Sequence, residues 1–225
     1  MITPYDWQEG IGNRAQYIES RLALGSPVLA VSLNEGILIF TFRRRSRKIF
    51  EVYDRLVFAG LGQQNDIEAL RIAAVDFASQ EGYGRSEQDV TIQRVATALS
   101  APLKRAFADF GSAPLVARCL FAEVNAAIEE DRYYTLDYDG DFQVSKRCAV
   151  IAGLEEQGGE LLEKLSDVKA SLSAAKAIPQ LEKMWEQAAH QEGAEPDPSL
   201  TAEAVLLERS DAHENRFRIL IDEEF

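Results

Sequence analysis

The stretch from Gly25 to Asp66 constrains the fold more than any other part of the chain. Residues 28–33, Val-Leu-Ala-Val-Ser-Leu, are apolar except for Ser32, and residues 37–42, Ile-Leu-Ile-Phe-Thr-Phe, are apolar except for Thr41. Asn34-Glu35-Gly36 between them is a connection of hairpin length. Strands apolar at nearly every position cannot turn one face to water, so the hairpin predicts a sheet covered on both sides. A basic loop, Arg43-Arg44-Arg45-Ser46-Arg47, comes next. Residues 48–53 and 56–60 form a second hairpin turning at Asp54-Arg55. The chain then passes Ala59, Gly60 and Gly62 into a helix near Asp66. Small residues at that junction allow close backbone approach or a positive φ.

The later segments alternate in kind. Ile67, Leu70, Ala74, Phe77 and Ala78 recur at helical spacing over residues 66–81, and Gly82-Tyr83-Gly84 is expected to stop that helix. Ser86, with Asp89 three residues on, resembles a capping box. It would open a second helix through Val90, Val95, Leu99, Leu103, Phe107 and Phe110, kinked or split at Pro102. Strands follow at 113–125, 132–137 and 146–154, with a turn at Asp139-Gly140. Helices at 155–165 and 171–190 lead to a breaker-rich connector at 191–198 and to strands at 201–209 and 216–221.

Runs of strands alternating with helix pairs predict two sheets packed face to face with helix layers outside. The expected fold is therefore α+β, a four-layer αββα sandwich. Residues 11–24 add an N-terminal helix, with Ile11, Ala15, Ile18 and Leu22 on one face. The expected division is residues 1–24 as an N-terminal segment and helix, and 25–225 as the sandwich.

A formal net charge of −13 argues against nucleic acid or an anionic membrane as the main partner. Residues 1–24 contain Asp6, Glu9 and Glu19 and no apolar run, unlike a secretory leader, and no stretch approaches a membrane span. A cytoplasmic location is expected. Cys119 and Cys148 fall inside apparent strands and read as buried reduced thiols. His190 and His213 have no catalytic context, and two isolated histidines make no transition-metal cluster. Asp137-Tyr138-Asp139-Gly140-Asp141 lacks the spacing and terminal glutamate of a calcium loop and reads as a hairpin turn. No cofactor or metal is expected.

The αββα order is that of the N-terminal-nucleophile hydrolases, and the chain resembles the bacterial proteasome α-type subunits of actinobacteria. The resemblance is carried by K-I-F-E-V-Y-D-R-L-V-F-A-G-L-G (48–62), D-I-E-A-L-R-I-A-A-V-D-F-A (66–78), E-G-Y-G-R-S-E-Q-D-V-T (81–91), C-L-F-A-E-V (119–124) and Y-T-L-D-Y-D-G (134–140). Their order and spacing, rather than any single piece, make it specific. The N-terminal signature of archaeal and eukaryotic α subunits is absent. Residues 4–25, P-Y-D-W-Q-E-G-I-G-N-R-A-Q-Y-I-E-S-R-L-A-L-G, resemble the shorter bacterial form.

The resemblance implies a scaffold without proteolytic chemistry. A proteasome-type nucleophile must be the first residue of the mature chain, because its own α-amino group is the base. Ser26 matches the catalytic threonine, but 25 residues precede it and Pro27 follows. The acidic partner's position falls at Phe42, and only Lys48 matches the catalytic lysine. The alternative is a divergent self-compartmentalised hydrolase that exposes Ser26 after cleavage behind Gly25.

As a non-catalytic subunit, the chain is expected to form a homo-oligomeric ring of seven copies on a ring of β-type subunits. It would then dock the C-terminal tails of a hexameric AAA+ ATPase or another activator. In the family the lysine matching Lys48 holds the tail's carboxylate in a pocket. Gly62 and Gln63 match the pocket's backbone segment, and Gly25 matches a glycine lining it. Met1, Ile2, Thr3, Pro4, Tyr5 and Asp6 are expected to form the gate at the pore mouth. The basic loop 43–47 is read either as a solvated loop or as an attractor of acidic activator surfaces or of a neighbour's carboxylates.

Overall fold

Residues 4–189, 199–210 and 215–220 are described by a computed structural model. A helix, α1 (Pro4–Leu22), leads into two hairpins, β1 (Val28–Ser32) with β2 (Gly36–Arg43), and β3 (Ile49–Tyr53) with β4 (Leu56–Gly62). Helices α2 (Gln64–Gly84) and α3 (Ile92–Ala108) follow. Next come β5 (Ala117–Glu123), β6 (Arg132–Leu136), β7 (Phe142–Ser145) and β8 (Cys148–Ile151). Helices α4 (Glu155–Ser166) and α5 (Ala174–Ala189) precede the last strands, β9 (Thr201–Glu208) and β10 (Phe217–Leu220). The strands make two antiparallel sheets in the orders β10-β9-β2-β1-β8 and β3-β4-β5-β6-β7.

Alternation within the strands decides the layering. On β1, β2 and β9, Val28, Ala30, Ile37, Ile39, Val205 and Leu207 face the second sheet. Their sequence neighbours Leu29, Val31, Leu38, Phe40, Ala204 and Leu206 pack with Leu161, Leu181 and Trp185 of α4 and α5. On β4 and β5, Val57, Ala59, Leu120 and Ala122 point between the sheets. Phe58 and Phe121 point to α2 and α3. Three apolar layers between four structural layers explain why these strands carry almost no polar position. The expected αββα order is what forms.

The structure corrects several boundaries. Residues 146–154, expected as one strand, follow a strand that sequence reasoning missed. β7 is the edge of the second sheet, pairing β6 from Tyr133↔Ser145 to Leu136↔Phe142, while β8 pairs β1 in the first sheet. The chain changes sheets at Arg147, which adopts φ 73°. Helix α2 does not stop at Gly82 but runs through Gly84, and ends with the Arg85 N–H bonded to the Glu81 carbonyl. Ser86 donates to the Asp89 carboxylate rather than capping a helix, and the segment is a short 3-10 turn. Helix α3 passes unbroken through Pro102. That ring is exposed, so the missing bond falls on a face that water can reach. The connector 191–198 and both histidines lie outside the described residues.

Helix α1 starts seven residues earlier than expected but buries the expected face: Ile18 and Leu22 are fully buried in the inter-sheet layer. Trp7 packs edge-on against Phe110, with ring centroids 4.8 Å apart. Arg14 donates to the carbonyls of Ser112 and Ala106, both at 3.1 Å, and Arg118 pairs with Glu19 at 3.1 Å. Both cysteines are buried and unpaired, and burial pushes their thiols up, so neither is a ready thiolate.

A polar lock sits where β1 ends. Asp131 has no exposed surface and accepts from both terminal guanidinium nitrogens of Arg209, at 2.8 and 2.9 Å. Ser32 donates to the same carboxylate at 2.6 Å and lies 2.7 Å from the Tyr133 hydroxyl. Arg209 also reaches the carbonyls of Asn125 and Leu33, so the network ties both sheets together.

Candidate functional site

At the opposite end of β1, the link from α1 meets the start of β3. Gly25 donates its N–H to the Leu22 carbonyl at 2.7 Å, and a Cβ there would lie 2.7 Å from the Leu61 side chain. Only glycine lets the helix end turn this tightly against β4. Ser26 follows in ordinary peptide linkage, so its nitrogen is an amide and not an amine. Its hydroxyl donates to the Phe42 carbonyl at 2.5 Å. Phe42 turns outward and packs on Trp185, with ring centroids 4.5 Å apart. Thr41, which does face inward, donates to the Pro27 carbonyl at 2.6 Å. Among the described residues the Ser26 hydroxyl donates to a backbone carbonyl and not to a basic side chain.

Lys48 closes the loop after β2. Its Nζ donates to the Ser26 carbonyl at 2.6 Å, not to the hydroxyl as a catalytic lysine would. Its N–H and that of Ile49 donate to Glu203, at 3.0 and 3.3 Å. Glu203 is buried on β9 and also meets Arg43 and Arg47, at 3.7 and 3.6 Å. This carboxylate pins the basic loop and the head of β3 to the other sheet. Sequence reasoning passed over Glu203, although it shares inward parity with Val205 and Leu207.

Burial lowers the Lys48 ammonium to about 8, and the nearby Glu203 opposes that shift. Near pH 7 the group is mostly charged, with one of its three donors already used. A part-buried cation with spare donors suits a carboxylate ligand.

The surroundings form an open cleft of about 1200 Å³. Gly25, Ser26, Lys48 and Gly62 all line it, as do Gln64 and the whole loop from Arg43 to Arg47. Gly62 adopts φ 143°, and a Cβ there would fall 2.0 Å from the Val116 carbonyl. That glycine lets β4 turn directly into α2 beside the cleft. Gln63, expected at the pocket, is exposed between the lining residues Gly62 and Gln64, and its N–H donates to the Val116 carbonyl at 2.9 Å. The structure thus brings Gly25, Lys48 and Gly62 together. Pro4, Tyr5 and Asp6 form the first turn of α1, while Met1, Ile2 and Thr3 lie outside the described residues. Among the described residues there is no grouping of metal-ligating side chains, and no helix is long and apolar enough to cross a membrane.

No protein-family model matches the chain. Individual relatives do. A protein named proteasome subunit alpha from Jonesia denitrificans is 30% identical over 204 residues, covering 89% of this chain and 85% of that relative. Another so named, from Streptomyces griseus subsp. griseus, is 28% identical over 229 residues, covering 98% of this chain and 82% of the relative. A third, from Xylanimonas cellulosilytica, is 35% identical over 153 residues, covering 67% of this chain and 62% of the relative.

Proposed function

The chain belongs to the proteasome α-subunit family, and from that membership we propose that it is the non-catalytic outer-ring subunit of a bacterial proteasome core, gating entry and docking an activator. The observation that carries the docking role is the Lys48 ammonium, held in a cleft between Gly25 and Gly62 with a serine whose chemistry is locked away. In this reading seven copies close a ring by head-to-tail contacts, and the ring stacks on β-type subunits in the cytoplasm. A hexameric ATPase inserts its C-terminal tails, and each terminal carboxylate takes the Lys48 donors. Residues 1–24 supply the gate segment and its helix, and residues 25–225 the sandwich. Met1, Ile2 and Thr3, with Pro4, Tyr5 and Asp6 of the first α1 turn, surround the pore.

Two measurements test this reading. Co-expression with a candidate β-type subunit is expected to yield stacked rings by sizing and electron microscopy, with α1 and the residues before Ser26 intact by mass. A chain cleaved after Gly25 would contradict the non-catalytic role, and monomers alone would contradict the ring. The second is pH dependence. A carboxylate binds the protonated lysine, so tail affinity should be flat from pH 6 to 7 and fall as pH rises through about 8. Above that pH the loss should approach tenfold per unit, read by anisotropy of a labelled tail peptide on assembled core. A flat profile to pH 9.5 would remove Lys48 from the binding step.

A further inference from the structure

The cleft has a charge pattern that holding one carboxylate does not require. Five cations line it, Arg43, Arg44, Arg45, Arg47 and Lys48, and no carboxylate does among the described lining residues. The chain as a whole carries 37 acidic residues against 24 basic ones, so this concentration runs against its composition. Glu203 lies beneath the cleft and offsets part of it, through Arg43 and Arg47. Arg45 is exposed on the rim. The lining also holds apolar side chains, with Leu24 80% exposed and Leu154 55% exposed. The cleft therefore offers both apolar surface and a concentration of positive charge.

We propose that the loop from Arg43 to Arg47 reads acidic residues just upstream of the tail's terminal carboxylate, so that the preferred activator is one whose C-terminal segment is acidic. The inference rests on the docking role proposed for Lys48. The two parts divide the work. Lys48, part-buried at the base, takes the terminal carboxylate, which every tail has. The arginine loop, with Arg45 exposed, distinguishes tails by the charge ahead of that end. Rim contacts of this kind act through long-range attraction, speed encounter and weaken with salt.

Two fluorescent nonapeptides test it on assembled core particles. Both share the same three C-terminal residues, an apolar residue, a tyrosine and one further residue with a free carboxylate, the ending that the family resemblance implies for activator tails. One carries Asp-Glu-Glu upstream, and the other carries Ser-Gly-Ser. The acidic peptide should bind at least tenfold tighter at 50 mM salt and less than threefold tighter at 500 mM. Replacing the two arginines at the loop tip (Arg44→Gln with Arg45→Gln) should remove most of the difference and leave the neutral peptide's affinity unchanged. Equal affinities at low salt, with both peptides lost on Lys48→Ala, would overturn the rim and leave the docking role standing. An acidic peptide that still binds Lys48→Ala with full affinity would keep the rim and overturn the docking role. Binding by neither peptide would overturn both.

Discussion

Replacing Lys48 with alanine is expected to abolish activator-stimulated protein degradation by the assembled core while small-peptide cleavage stays within about twofold. The lysine supplies the charge at the base of the cleft and donates to the Ser26 carbonyl rather than to any reacting group. A charge-assisted hydrogen bond contributes about 1.5–3 kcal/mol, roughly one to two powers of ten per tail. A ring repeats the loss at every pocket, and tails of one activator bind multivalently, so the combined effect exceeds the single-site one. Because burial disfavours the ammonium, the same substitution should leave stability unchanged or higher below about pH 8. The measurements are degradation of a folded reporter with activator, cleavage of a fluorogenic peptide without it, and thermal unfolding. Equal loss of both activities would mean a structural or assembly role for Lys48, and full retention of both would remove it from docking.

The second large effect lies at the other end of the sandwich. Asp131→Ala strands the Arg209 guanidinium, which is only 12% exposed, removes the carboxylate that Ser32 donates to, and leaves the Asn125 N–H without its acceptor. Breaking one side of a buried pair costs about 3–5 kcal/mol. At about 2–4 °C per kcal/mol for a chain of this size, the melting midpoint should fall by roughly 6–20 °C. Adding Arg209→Met should recover a large part of that loss, because the unpaired cation is what costs most. A fall of under 2 °C, or a double variant no better than the single one, would show that the network carries little stability. Both are read by thermal unfolding of the same assembly state.

The sequence carried the core more openly than the polar parts. Residues 28–42 spelled out two strands buried on both faces, and the Ile18–Leu22 stripe located the inward face of α1. Apolar periodicity reports burial directly, and those elements are held by burial. β7 escaped because a short edge strand with three of its four residues exposed shows no alternation. Pro102 read as a breaker because propensity alone does not reveal which face of a helix meets water. Lys48, Gly25 and Gly62 were placed through resemblance, and the structure draws them to one cleft. Gln63 lies next to Gly62, with its backbone N–H engaged at the start of α2. Glu203, Asp131 and Arg209 were invisible as partners. Asp131 and Arg209 are 78 residues apart, and Glu203 meets Lys48 across 155. Nothing local to any of them marks the pairing, although a charged residue at an inward strand position was a usable sign.

The pairing of β2 with β9 has a consequence for biosynthesis. β2 holds the middle of its sheet, yet the neighbour that covers one of its edges is made of residues 201–208. Ribosomes extend chains at roughly 5–20 residues per second, so that edge of eight mostly apolar residues waits on the order of ten seconds or more for its partner. During that interval it is an open template for pairing with other nascent chains. The emerging subunit is therefore a natural client for chaperones, and a chain truncated before residue 201 leaves its most aggregation-prone strand permanently uncovered.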